Sequence, residues 1–289
     1  YWKAYHRNPV FYQRALIKLD LHVPILKESP TIQHTVFNMG IAVLIKQVPD
    51  TTSKVDVSGG LVDESSVSKW SISPYDEYAL ECAMQLKESG YSEVVAITCG
   101  PQRSSKALTE AAAVGADSLI HVHVEDILDS IQVQSLLSAA IKRTDSEIVL
   151  CGKQAADTNS GSTGPGIASI LDYSCVGVVS EVTVDDGVLV ATRQGPSGLE
   201  EIEVTSPCLF TFDKGDSELR RPNVRGIMMA KKKTVEALTP GDLGVDLGES
   251  PVIVNSHSSP PDKPPGQKFE GVSSVATVVQ MLRDEANVI

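Results

Sequence analysis

From Gly40 onward, apolar residues come in short blocks of strand length, separated by stretches with helical spacing. Residues 41–45, 94–98, 118–122 and 147–151 read as buried strands. Ser73-Pro74 opens a helix, with proline at its first position and Asp76 and Glu77 in its first turn. Tyr78, Leu80, Cys82, Ala83 and Leu86 keep helical spacing until Gly90 ends the run. Residues 104–114, closed by Gly115, and 126–141 are predicted helices too. Residues 55–67, around Gly59-Gly60, read as a hairpin or a loop excursion. Strand–helix alternation of this kind predicts an α/β fold with an open, mostly parallel sheet covered on both faces.

Beyond Asp172 the texture changes. Asp185-Asp186-Gly187 sits between alternating residues within 176–193, which is a hairpin signal. Residues 202–204 and 209–212 add strands. After Thr239-Pro240-Gly241-Asp242 the chain is rich in Pro, Gly and Ser through Gly266. Val275, Val278, Val279 and Leu282 then share one face of a short predicted helix within 274–287. An arm of this kind is expected to pack on a partner. The chain thus divides into an N-terminal extension (1–38), a core (39–235) and a C-terminal arm (236–289).

Composition narrows the picture. The 289 residues are 42% hydrophobic and 5% aromatic, with a formal net charge of −12. That length can bury a sizeable core. The acidic balance argues against a nucleic-acid partner, which calls for a basic face. No apolar run approaches the ~20 residues of a membrane-spanning helix. Cys82, Cys99, Cys151, Cys175 and Cys208 show no CxxC spacing, so no disulfide framework or thiolate zinc site is expected. Residues 1–38 differ in charge, with Lys3, Arg7, Arg14, Lys18 and Lys27 against Asp20 and Glu28. They read as an organelle-import leader remnant or as a segment that docks on a partner, and docking is favoured.

The strongest candidate site is the small-residue stretch Gly152–Gly166. It follows a strand and precedes a helix predicted over 167–171. Small residues let a ligand approach the backbone, and free amides at a helix N-terminus favour an anion. Ser162 and Thr163 add hydroxyls, so a phosphate is the natural guest. The stretch lacks both the Gly-Lys-Ser/Thr ending of a P-loop and the GxGxxG fingerprint. On spacing alone, a long turn that helps the helix pack is as good a reading. Gly164→Asp is expected to set a carboxylate beside the phosphate. The loops at 46–51 and 99–101 end neighbouring strands and would line the same crevice. His121 and His123 share a strand face and read as surface residues rather than metal ligands. Cys99 reads as a small buried residue, and Lys231, Lys232 and Lys233 as a solvated face or a phosphate contact.

Together these segments resemble the β subunit of electron transfer flavoprotein. The marks are Lys46-Gln-Val-Pro-Asp50-Thr51, Ser73-Pro74, Thr98-Cys-Gly-Pro101, Ala113-Val-Gly-Ala-Asp117, Cys151-Gly-Lys-Gln-Ala-Ala-Asp157, Ile227-Met-Met-Ala-Lys-Lys-Lys233 and Pro240-Gly-Asp-Leu-Gly-Val-Asp246. The resemblance covers nearly everything after residue 38. It implies an adenine nucleotide alpha hydrolase-like sheet and a heterodimer whose α subunit holds most of a redox-active FAD. The β subunit would bind AMP. The family pattern places those contacts on Leu44; on Ser73, Pro74, Tyr75 and Asp76; on Cys99; and on Gly152, Lys153, Gln154, Ala155, Ala156, Asp157, Thr158, Asn159, Ser160, Gly161, Ser162 and Thr163. The pair would take electrons from acyl-CoA-type dehydrogenases in the mitochondrial matrix and pass them to a flavoprotein-quinone reductase at the inner membrane.

Docking on the dehydrogenase would use residues 220–230, here Arg220, Val224, Arg225, Ile227 and Met228. The family commonly has Leu where Val224 stands, an aromatic residue facing the flavin where Thr51 stands, and an acid where Gln194 stands. Relatives with a second FAD in place of AMP usually carry Asp-Gly-Asp in the phosphate loop. Asp157-Thr158-Asn159 therefore points to AMP. An alternative is a structural flavoprotein-like subunit of a larger respiratory assembly, joined through residues 1–38, with little or no redox role.

Overall fold

The computed structural model describes residues 39–261 and 265–289; the expectations for residues 1–38 lie outside them. Strand β1 (Gly40–Leu44) runs into a short excursion of β2 (Gln47–Pro49), β3 (Asp56–Ser58), β4 (Leu61–Asp63) and β5 (Trp70–Ile72). Helix α1 (Pro74–Glu88) follows, then β6 (Val94–Gly100), α2 (Ser105–Val114), β7 (Ser118–His123), α3 (Ser130–Ile141), β8 (Ser146–Gly152) and α4 (Thr163–Leu171). An antiparallel ribbon of β9 (Ser174–Asp185), β10 (Val188–Gly195) and β11 (Gly198–Val204) leads to β12 (Cys208–Phe212). The chain closes with α5 (Val224–Ala230), β13 (Glu236–Leu238) and α6 (Val275–Asp284).

One nine-stranded sheet carries the fold, in the order β11-β10-β9-β12-β8-β1-β6-β7-β13. From β9 to β13 the pairings are parallel; β9–β10 and β10–β11 are antiparallel. The period of two along each strand explains the two cores. Ile41, Val43, Val94, Ala96, Ile148 and Leu150 face α1 and α2, while Ala42, Leu44, Val95, Ile97, Val149 and Cys151 face α3 and α4. Strand order reverses at the β1–β8 pair, since β6 and β7 build away to one side and β12 to the other. That reversal opens a crevice beyond the carboxyl ends of the strands.

Several boundaries differ from the sequence reading. The excursion at 55–67 is a hairpin, because Gly59 and Gly60 take φ of +62° and +79° in its two-residue turn. The α3 helix starts at Ser130, where Asp129 accepts from the Ile131 and Gln132 amides in a capping box. The α4 helix begins at Thr163 rather than at 167, since Thr163-Gly164-Pro165 already forms its first turn. The core also runs past residue 235: β13 pairs with β7, and Leu243, Val245 and Leu247 pack on the α3–α4 side. Beyond this the arm leaves the sheet. Its α6 helix has no buried residue.

Candidate functional site

A cavity of about 220 Å³ lies at the switch point. Leu44, Ile97, Cys99, Leu128, Val133 and Leu137 make its apolar side. Its polar end is built by Lys46, Asp76, Gly152, Lys153, Gln154, Ala155, Thr158, Ser160 and Thr163. Thr163, the first residue of α4, lines that end, and a helix start leaves its first amides, here those of Thr163 and Gly164 ahead of Pro165, without intrahelical partners.

Asp76 holds the crevice together. From the first turn of α1 its carboxylate accepts the Lys46 amide at 2.8 Å and the Gly152 amide at 2.8 Å, joining the ends of β1 and β8. The chain comes so close here that a Cβ on Gly152 would lie 2.6 Å from Asp76 Oδ1 and 2.7 Å from Tyr75 Cβ. Burial pushes the Asp76 carboxyl up to about 7, against the pull of the two amides and of Lys46. Ser73, at the N-cap of α1, makes no capping bond; its Oγ accepts the Ala156 amide at 3.3 Å instead, tying the helix to the phosphate-type loop.

Ion pairs fix both lysines of the crevice. Lys46 Nζ reaches Asp157 Oδ1 at 2.8 Å and Oδ2 at 2.7 Å. Lys153 Nζ reaches Asp213 Oδ2 at 2.8 Å and sits 4.9 Å from the centre of the Tyr75 ring. Burial pushes the Cys99 thiol up to about 12, so it is no thiolate nucleophile at neutral pH.

Of the residues expected at the nucleotide site, Leu44, Asp76, Cys99, Gly152, Lys153, Gln154, Ala155, Thr158, Ser160 and Thr163 line the cavity. Ser73, Pro74, Tyr75, Ala156, Asp157, Asn159, Gly161 and Ser162 stand behind or beside that lining. Asn159 and Gly161 take φ of +53° and +66°, which bends the loop back toward α4. Thr51 is exposed in the turn after β2 and does not line the cavity. The α3 wall, Leu128, Asp129, Ser130, Val133 and Leu137, went unrecognised in the sequence. Its signal was Asp129 followed three residues later by Gln132.

Four expectations need correction. The Cβ position of Gly164 faces Thr211 Cγ2 at 2.5 Å and Cys151 Sγ at 3.0 Å, so a side chain there strikes the sheet and not a phosphate. His121 is buried, and its Nε2 bonds the Gly100 carbonyl oxygen at 2.9 Å. Lys233 points into the fold, donating to the carbonyls of Ala116 and Asp117. Arg220 faces inward as well: its Nε and Nη2 each donate to a different oxygen of the buried Glu81 at 2.8 Å, and Nη1 reaches Glu88. Val224, Arg225, Ile227 and Met228 are exposed on α5, with Val224 at 76%.

A mostly parallel sheet with a crevice at its switch point, bordered by the start of α4, defines an open α/β protein. A family model described as electron transfer flavoprotein domain matches residues 61–243. The chain is 33% identical over 258 residues to the electron transfer flavoprotein subunit beta of Bacillus subtilis, covering 87% of this chain and 100% of that one. With the human subunit beta it shares 36% over 238 residues, 80% of this chain and 92% of the human one. With that of Thermoanaerobacterium thermosaccharolyticum it shares 37% over 259 residues, 86% of this chain and 98% of the relative. The chain belongs to the electron transfer flavoprotein family, among its beta subunits, and its role lies in electron transfer.

Proposed function

We propose that this chain is the β half of a heterodimeric electron carrier. It holds AMP in the switch-point crevice and closes the site of an FAD held mainly by an α partner. Electrons would come from acyl-CoA-type dehydrogenases and pass to a flavoprotein-quinone reductase, with the mitochondrial matrix as the proposed location.

The observation that carries the reading is the crevice itself. Its apolar side suits a base and ribose, and the α4 amides suit one phosphate. A cavity of about 220 Å³ fits a mononucleotide better than a whole dinucleotide. For the dehydrogenase this chain offers the exposed Val224, Ile227, Met228 and Met229 on α5. For the α partner it offers the uncovered apolar face of α6.

The test is co-expression with an α subunit, followed by analysis of released ligand and of the visible spectrum. One AMP per pair and a yellow complex bleached by a reduced dehydrogenase are expected. A nucleotide-free, colourless pair would overturn the reading.

A further inference from the structure

We propose that the ion pairs Lys46–Asp157 and Lys153–Asp213 act as a filter that restricts the crevice to a nucleoside monophosphate. This rests on the nucleotide reading above and adds what sets the ligand's phosphate number.

The cations that line the cavity are Lys46 and Lys153. Both ammonium groups are already engaged. Lys46 lies between the two oxygens of Asp157, and Lys153 is held by Asp213 and stacked over Tyr75. The other charged liners, Asp76 and Asp129, are acids. The first phosphate is therefore met by the α4 amides, whose summed dipole is worth about half a positive charge. A second phosphate brings further negative charge and, among the described lining residues, meets only these two paired cations. To reach Lys46 it must displace Asp157 and leave that carboxylate unpaired at the mouth, facing the added anion. The pairs lock because their carboxylates come from separate segments: Asp157 from the loop after β8, and Asp213 from the end of β12, both next to the β1–β8 reversal.

Asp157→Asn and Asp213→Asn each release one ammonium group with little change in shape. AMP and ADP are titrated calorimetrically into the nucleotide-exchanged full-length chain, in complex with its partner, for wild type and both variants. The wild type is expected to prefer AMP over ADP by about tenfold or more, the scale of one charge-assisted contact. Asp157→Asn should shrink that preference about tenfold by tightening ADP, and Asp213→Asn should shift it the same way. Equal wild-type affinities for AMP and ADP would overturn the filter, as would an AMP-to-ADP ratio unchanged in the variants. Should one variant fail to fold, the other decides. A wild type that binds neither nucleotide would instead bring down the nucleotide reading itself.

Discussion

Asp76 is the residue on which the crevice turns. It accepts two amides that favour its charged form, yet burial wins and its carboxyl titrates near 7 instead of 3.8. Between those values the folded chain keeps a proton that the unfolded chain has lost. The stability tied to Asp76 is therefore present below about pH 4 and lost as pH rises through about 7. Asp76→Asn should remove that dependence. The stability of wild type relative to the variant should fall by on the order of 4 kcal/mol across the window. Denaturant unfolding of both proteins at several pH values checks this, and parallel curves would refute it. Comparing the two proteins matters, because the Lys46–Asp157 pair faces Asp76 in both, and because Glu81 and Asp213 run the opposite way, held low by their cations despite some burial. Arg220 makes a second residue-level case. Arg220→Ala would leave the Glu81 carboxylate, 6% exposed, without its guanidinium. Removing one member of such a pair costs on the order of 3 kcal/mol. A fall in melting temperature, with loss of order at 220–230 seen by hydrogen exchange, is the expected result; an unchanged melting temperature would mean that Arg220 acts only toward a partner.

Elements were legible wherever periodicity was strong. The unbroken apolar run from Ile41 through Leu44 marked a strand, which proves to be buried on both faces, and Gly59-Gly60 and Asp186-Gly187 marked the turns. Misreadings arose where tertiary contacts outweighed local pattern. Arg220 reads as a docking residue and Lys233 as a solvated or phosphate-contacting cation, but their partners, Glu81 and the carbonyls after α2, lie more than a hundred positions away. The crevice was visible as three strand-end loops; its α3 wall was not, because only folding brings that helix against α4 and β6. The start of α4 was misplaced because Gly164 and Gly166 look like loop glycines. They are glycines because the helix packs tightly at its first turn. Gly164→Ala should therefore lower stability by about 1–3 kcal/mol, as an overpacked core position does. Thermal unfolding reads that directly. If the loss appears in nucleotide retention with no change in melting temperature, Gly164 belongs to the ligand site after all.

Within residues 39–289 the described chain is one open sheet with an arm that leaves it. The strands of the large sheet pair among themselves within 40–238, while among the described residues 265–289 hydrogen-bond to one another, as in Ser274 to Glu270 and Glu285 to Met281. Val275 at 57% exposure, Val279 and Leu282 leave an apolar stripe in water, which a short helix does not maintain to its own benefit. The stripe is thus meant for another surface, and the core does not need it. Deleting residues 265–289 should leave the melting temperature of the isolated chain within about 2 °C of the full-length protein, since little buried area is lost. The same deletion should weaken association with an α partner at least about tenfold, because each buried apolar side chain of the stripe contributes roughly 1.5–3 kcal/mol when covered. Unfolding of the free chain and pull-down of the pair separate the two effects. A truncated chain that melts early would show that the arm folds back on its own core, and one that pairs normally would show that the partner is gripped elsewhere, with the β9–β11 ribbon the next surface to test.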